Sequence, residues 1–166
     1  NCINSDLANN YGNLCQRVIL FNEKNFNLKV PDNYKFNKDD QQILDTYSSN
    51  IENLINSIDN QNINYYVNFI QEQLFAANKY FNDQEPWKKK LDKERLNSIL
   101  YVSLELIRKI SILLYPIIPE SSIKALKTFN ITEDKIDFNT IKNHEILRVN
   151  SDINKISILF KKIIKT

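Results

Sequence analysis

Asn9, Asn13 and Arg17 stand four residues apart in the run Asp6-Leu7-Ala8-Asn9-Asn10-Tyr11-Gly12-Asn13-Leu14-Cys15-Gln16-Arg17. On a helix that spacing places successive side chains one above another, so two amides and a guanidinium form a single polar ladder. Asn offers a donor beside an acceptor, and Arg is a rigid fork of donors; together they match the edges of unpaired bases. A surface helix in an Asn-rich chain also shows such residues by chance, so the ladder alone leaves both readings open.

Trp87, the sole Trp, follows Pro86 and precedes Lys88-Lys89-Lys90. Proline restricts the backbone just before the indole, which lowers the entropy lost if the ring serves as a stacking platform, and the lysines attract phosphates. The other reading is that Trp87 plugs the end of an apolar core and the lysines are a solvated helix start. Nothing points to catalysis. His144 is the only His and has no nucleophile patterned near it, so it is expected at the surface or in a tail. With 1 Gly there is no Gly-rich phosphate loop, and the carboxylates are expected on exposed helix faces. Cys2 and Cys15 give neither a disulfide framework nor, with one His, a metal site of standard type. No catalytic residue and no metal ligand are therefore assigned, and Cys15 is expected to pack as a reduced thiol.

The elements that must position these residues are helical. With 1 Gly and 4 Pro in 166 residues, the chain lacks the turn formers of a sheet-rich fold. Its length suits one domain. The periodicity predicts a first helix over about 6–22, capped by Ser5 or Asp6, with Leu7, Tyr11, Leu14, Val18 and Phe21 as its buried stripe. A loop with Pro31 should lead to a second helix over 37–58, opened by Asn37 and carrying Ile43, Leu44, Tyr47, Ile51, Leu54, Ile55 and Ile58 on its apolar face. A third helix, about 63–81, carries Tyr66, Phe69, Ile70, Leu74 and Phe75, and 78–85 is expected as a polar loop that delivers Pro86-Trp87. The fourth, about 91–114, is the most apolar and should be central. Pro116 and Pro119 stop it, and Glu120 starts a short fifth helix. The resulting expectation is an all-α antiparallel bundle of four to five helices, with 130–166 a less regular tail that ends in a helical piece or docks in extended form.

A net charge of +2 is too balanced to mark a nucleic-acid binder by bulk electrostatics, so such binding would have to be local. No apolar stretch approaches the roughly 20 residues that span a bilayer, so no membrane partner is expected and the cytoplasm is the expected location. A chain without Met that starts Asn1-Cys2-Ile3 is expected to be a piece of a larger protein.

Three blocks in order, Asp6-Leu7-Ala8-Asn9 with Gly12-Asn13-Leu14 and Arg17, then Asn78-Lys79-Tyr80 leading to Glu85-Pro86-Trp87, then Leu114-Tyr115-Pro116-Ile117-Ile118-Pro119-Glu120-Ser121, resemble the anticodon-binding domain of the methionyl-tRNA synthetase family. The tail Leu159-Phe160-Lys161-Lys162-Ile163 is similar to the family's Leu-Phe-Pro-Arg-Ile ending, with Lys161 in place of Pro. The resemblance implies a helical bundle that follows a catalytic Rossmann domain and recognises the CAU anticodon of methionine tRNA. It further implies that Trp87 stacks on the first anticodon base, that Asn13 and Arg17, aided by Asn9, contact base edges and backbone, and that Pro86 sets the Trp loop. The family's catalytic signatures are missing from these residues, so the domain itself needs no cofactor, and ATP belongs to the catalytic part. The corresponding domain of the cysteine, leucine, isoleucine or valine enzyme, or a helical protein-interaction module, are the alternatives. Fluorescence separates them: an exposed indole quenched on adding a CAU stem-loop is expected for the tRNA reading, and a blue-shifted, unresponsive one for the interaction module.

Overall fold

A computed structural model describes the backbone of residues 2–156 and the side chains of residues 5–156. The similarity at 159–163 lies outside the described residues. Among the described residues five α-helices form in chain order: α1 Cys2–Phe26, α2 Lys38–Asp59, α3 Ile63–Gln84, α4 Lys93–Leu114 and α5 Pro119–Thr128. Short 3-10 turns at Pro86–Lys88, Glu133–Lys135 and Phe138–Lys142 punctuate the rest.

α1 to α4 run alternately up and down. The phenol of Tyr11, early in α1, meets Ser111 near the end of α4 at 2.5 Å, and Tyr66, early in α3, donates to the Leu113 carbonyl at 2.5 Å. At the other end Tyr80 of α3 donates to Asp40 in the first turn of α2 at 2.6 Å. Each pairing joins the start of one helix to the end of another, which is the antiparallel bundle that the short connections demand. α4 is central: every residue from Ser98 to Leu114 is buried.

Capping and periodicity explain most of the elements. Asn37 Oδ1 accepts the Asp40 N–H at 2.9 Å while Asp40 Oδ2 accepts the Asn37 N–H at 3.0 Å, a reciprocal capping box that starts α2. Leu7, Tyr11, Leu14 and Val18 form the α1 stripe as expected, with Cys15 and Ile19 beside them. Several sequence expectations need correction. α1 extends beyond both expected ends, so Ser5 and Asp6 lie within the helix rather than capping it. Phe75, assigned to the α3 core face, is 71% exposed, and Ile55 and Ile58 are exposed on α2. In α2 and α3 the buried stripe is narrower than the count of apolar residues, because neighbours leave one side uncovered. Residues 78–84 are the last two turns of α3 rather than a loop, since Glu85 closes the helix in the left-handed conformation at φ 45° and Pro86 bars its continuation.

The segment after α5 has little periodicity of its own and is held by side chains of α4. Glu105 accepts the backbone N–H groups of Ile146 and Leu147 at 2.8 and 2.7 Å and pairs with Arg108 Nε at 2.7 Å. Arg108 in turn donates to Thr140 and to the Asn143 carbonyl at 2.9 Å. Lys109 donates to the carbonyls of Ile141 and Asn143 and meets His144 Nδ1 at 3.1 Å. These contacts correct two expectations. Asp40 and Glu105 are fully buried carboxylates, and His144 is a half-buried link between α4 and α2 rather than a free tail residue. Further on, Lys29 and Asp152 form an antiparallel bridge, and Ile153 N–H donates to the Leu28 carbonyl at 2.7 Å, which docks the chain against the loop that follows α1. No described helix is long and apolar enough to cross a membrane.

His144 donates Nε2–H to Asp45 Oδ1 at 3.0 Å, which leaves Nδ1 to accept from Lys109. Burial, then the neighbouring Arg108 charge, pull the Lys109 pKa down to about 7, and burial followed by Lys109 lowers that of His144. A base whose folded pKa lies below its unfolded one binds fewer protons when folded, so its contribution to stability grows with pH and fades as pH falls through the folded value. The thermal midpoint should therefore rise between about pH 7 and about pH 10, and Lys109→Met should flatten that slope; calorimetry across the range measures it.

Candidate nucleic-acid interface

The Trp87 turn emerges where α2, α3 and α4 converge, and one buried carboxylate ties the three together. Arg95 of α4 makes a two-pronged bond to Asp40, Nη1 to Oδ2 at 2.6 Å and Nη2 to Oδ1 at 3.0 Å, and Nη2 also reaches Gln84 Oε1 at 2.7 Å. With Tyr80 and the Asn37 N–H, every lone-pair direction of Asp40 is engaged. Gln84 is the last residue of α3, so this network fixes the point from which the chain turns outward.

From there the path is short. Glu85 turns the backbone, and its carboxylate holds Lys88 Nζ at 2.7 Å across the 3-10 turn. Pro86 is buried and anchors the turn. Trp87 is 43% exposed, with one edge packed on the buried Phe81 ring: centroids 6.2 Å apart, planes at 68°. The indole is supported from below and open above, which rules out the reading in which it plugs the core. Of the lysine run, Lys88 is paired with Glu85, Lys89 is half-buried and Lys90 is exposed.

Phe81 also carries the other wall. The Arg17 guanidinium lies over the Phe81 ring at 5.4 Å from its centroid, and Arg17 Nη2 donates to Asn82 Oδ1 at 2.5 Å. Asn82 takes one of the five guanidinium N–H groups. Phe21 of α1 braces Phe81 from a third side, edge to face at 5.9 Å. The structure thus brings Arg17 and Trp87 together on one ring, from residues far apart in the chain. Asn13 and Asn9 lie exposed along α1, at steps of about 6 Å away from Arg17. Where the helices cross, Asn78 of α3 donates to the Asn10 carbonyl at 3.4 Å.

Sequence reasoning missed Phe81, Asn82 and the Asp40–Arg95 pair. Reading 78–85 as a loop hid the fact that Phe81 and Asn82 stand on the last turn of α3, with Glu85 closing it. The available signal was Pro86, which permits helix up to the residue before its predecessor. Among the described residues no three His, Cys, Asp or Glu side chains gather as a metal site.

Residues 30–166 match the family model described as the anticodon binding domain of methionyl tRNA ligase. The chain belongs to this family. The methionine–tRNA ligase of Brucella suis is 37% identical over 139 residues, covering 83% of this chain and 27% of the relative. That of Thermotoga maritima is 31% identical over 163 residues, 97% of this chain and 26% of the relative, and so includes the α1 ladder that precedes the family-model match. The crystal structure of free Mycobacterium tuberculosis methionyl-tRNA synthetase superposes with a TM-score of 0.86 at 30% identity, over 96% of this chain and 33% of that one. The chain thus spans about a quarter of the length of the curated relatives. It is an all-α anticodon-binding domain of the methionyl-tRNA ligase type, matching only that non-catalytic part of the enzyme.

Removing the carboxylate beneath the Trp turn leaves Arg95 and Tyr80 without their shared acceptor. Asp40→Ala should cost about 3–5 kcal/mol in urea unfolding and change the near-ultraviolet signal of Trp87, read by circular dichroism.

Proposed function

We propose that this domain recognises the CAU anticodon of methionine tRNA, and that residues 1–166 act as one unit in doing so. The single observation that carries this reading is the shared ring. A partly exposed indole and a guanidinium with free donors both pack on Phe81, a platform for one base next to a reader of base edges. Trp87 stacks on the first anticodon base, held in place by Pro86. Arg17 and Asn13 contact base edges and backbone, with Asn9 extending the contact along α1. Lys90 adds local positive charge beside the platform. The domain uses no cofactor of its own. ATP-dependent aminoacylation belongs to the catalytic part of the parent ligase, which is this domain's intramolecular partner in the cytoplasm.

Magnitudes favour this division of labour. Stacking a base on an aromatic ring is worth about 1–3 kcal/mol, and a good set of base-edge hydrogen bonds about the same. With a net charge of only +2, selectivity rests on these local terms rather than on bulk attraction.

Trp87→Ala should weaken binding of a CAU stem-loop by about tenfold or more while leaving the melting temperature in place, and unchanged affinity would defeat the stacking assignment. Arg17→Ala should narrow the gap in affinity between CAU and other anticodons. An equal loss for every sequence would instead place Arg17 on phosphates alone.

A further inference from the structure

Arg17 and Trp87 approach the anticodon site from different elements, α1 and the turn after α3. Their common support is Phe81. This side chain is 2% exposed, so it cannot itself present a surface to RNA. One part of the ring lies under the Arg17 guanidinium at 5.4 Å, and the same ring meets the Trp87 indole at 6.2 Å and 68°. Phe21 meets the ring edge to face at 5.9 Å and 84°, a third contact that restrains its orientation. An aliphatic side chain could fill this space but has no π face for the cation and no ring quadrupole to orient the indole.

We propose that Phe81 is a positioning residue that couples the two walls of the anticodon site: it sets the guanidinium of Arg17 and the plane of Trp87 relative to one another, so the two act on RNA as one unit. This inference rests on the reading of the site given under Proposed function. It goes beyond that reading by assigning specificity to a buried ring that touches no nucleotide. A guanidinium held by an aromatic face and by Asn82 Oδ1 loses less freedom when a base edge arrives. A disturbance of either wall therefore reaches the other through Phe81.

The test is a double-mutant cycle on the full chain, with a CAU stem-loop as probe. In the wild-type background the combined loss from Arg17→Ala and Trp87→Ala should differ from the product of the single losses by about fivefold, and in the Phe81→Leu background that discrepancy should shrink to within about twofold. Phe81→Tyr, which keeps the ring, should retain the coupling. A merely structural role lowers stability but leaves the coupling unchanged, so thermal midpoints are measured alongside. The sole Trp provides a readout without RNA. Arg17→Ala should alter Trp87 emission in the wild-type background and leave it unaltered in the Phe81→Leu background. Coupling that survives Phe81→Leu, or its absence in the wild type with Trp87 emission indifferent to Arg17→Ala, overturns the proposal. If the wild-type chain binds all stem-loops alike, the anticodon reading fails on its own, and the emission cycle still decides whether Phe81 couples the two side chains.

Discussion

At the end of the bundle where the chain turns outward, Asp40 is a fully buried carboxylate that α2, α3 and α4 all contact. It accepts from Asn37 and Tyr80 and takes both arms of Arg95, whose second nitrogen continues to Gln84. A buried charge is tolerated only with a full set of partners, so the three helix ends must meet in one arrangement. The position of Gln84 then dictates where Glu85 bends, where Pro86 anchors and hence where the Trp87 indole faces. The exposed aromatic is set by polar contacts at the helix ends beneath it.

A second set of buried charges does comparable work further along α4. Glu105, Arg108 and Lys109 occupy one face of an otherwise apolar helix and take up the backbone groups of 140–147. That segment has few apolar residues of its own, and Ile141 and Leu147 are its buried ones. Hydrogen bonds from charged side chains supply the order that periodic packing supplies elsewhere. The two networks explain how a chain so rich in Asn, with 1 Gly, keeps irregular segments in place.

Much of this was legible in the sequence, and the exceptions share a cause. The stripes Leu7-Tyr11-Leu14-Val18 and Leu44-Tyr47-Ile51-Leu54 follow from helical periodicity, and Asn37 with Asp40 from capping chemistry; both are local rules. Asn9, Asn13, Arg17 and Trp87 were also visible, as residue types in a spacing. The end of α3 was misjudged because Asn82 and Asp83 are weak helix formers, and the contact that stabilises this turn comes from Arg95, eleven residues beyond Gln84. Phe75 looked like core because apolar residues carry no mark of which side a neighbour covers.

The sequence by itself determined that this chain forms amphipathic helices, that α4 is the central one, and that Asn9, Asn13 and Arg17 stand on one helix at four-residue spacing, because these properties depend on residues within a turn or two of each other. Only the tertiary structure decided that Arg17 and Trp87 share one ring, and that Asp40, 40 positions before Tyr80 and 55 before Arg95, holds that end together. Such meetings depend on helix lengths, crossing points and the direction in which each buried stripe faces, which no local pattern encodes.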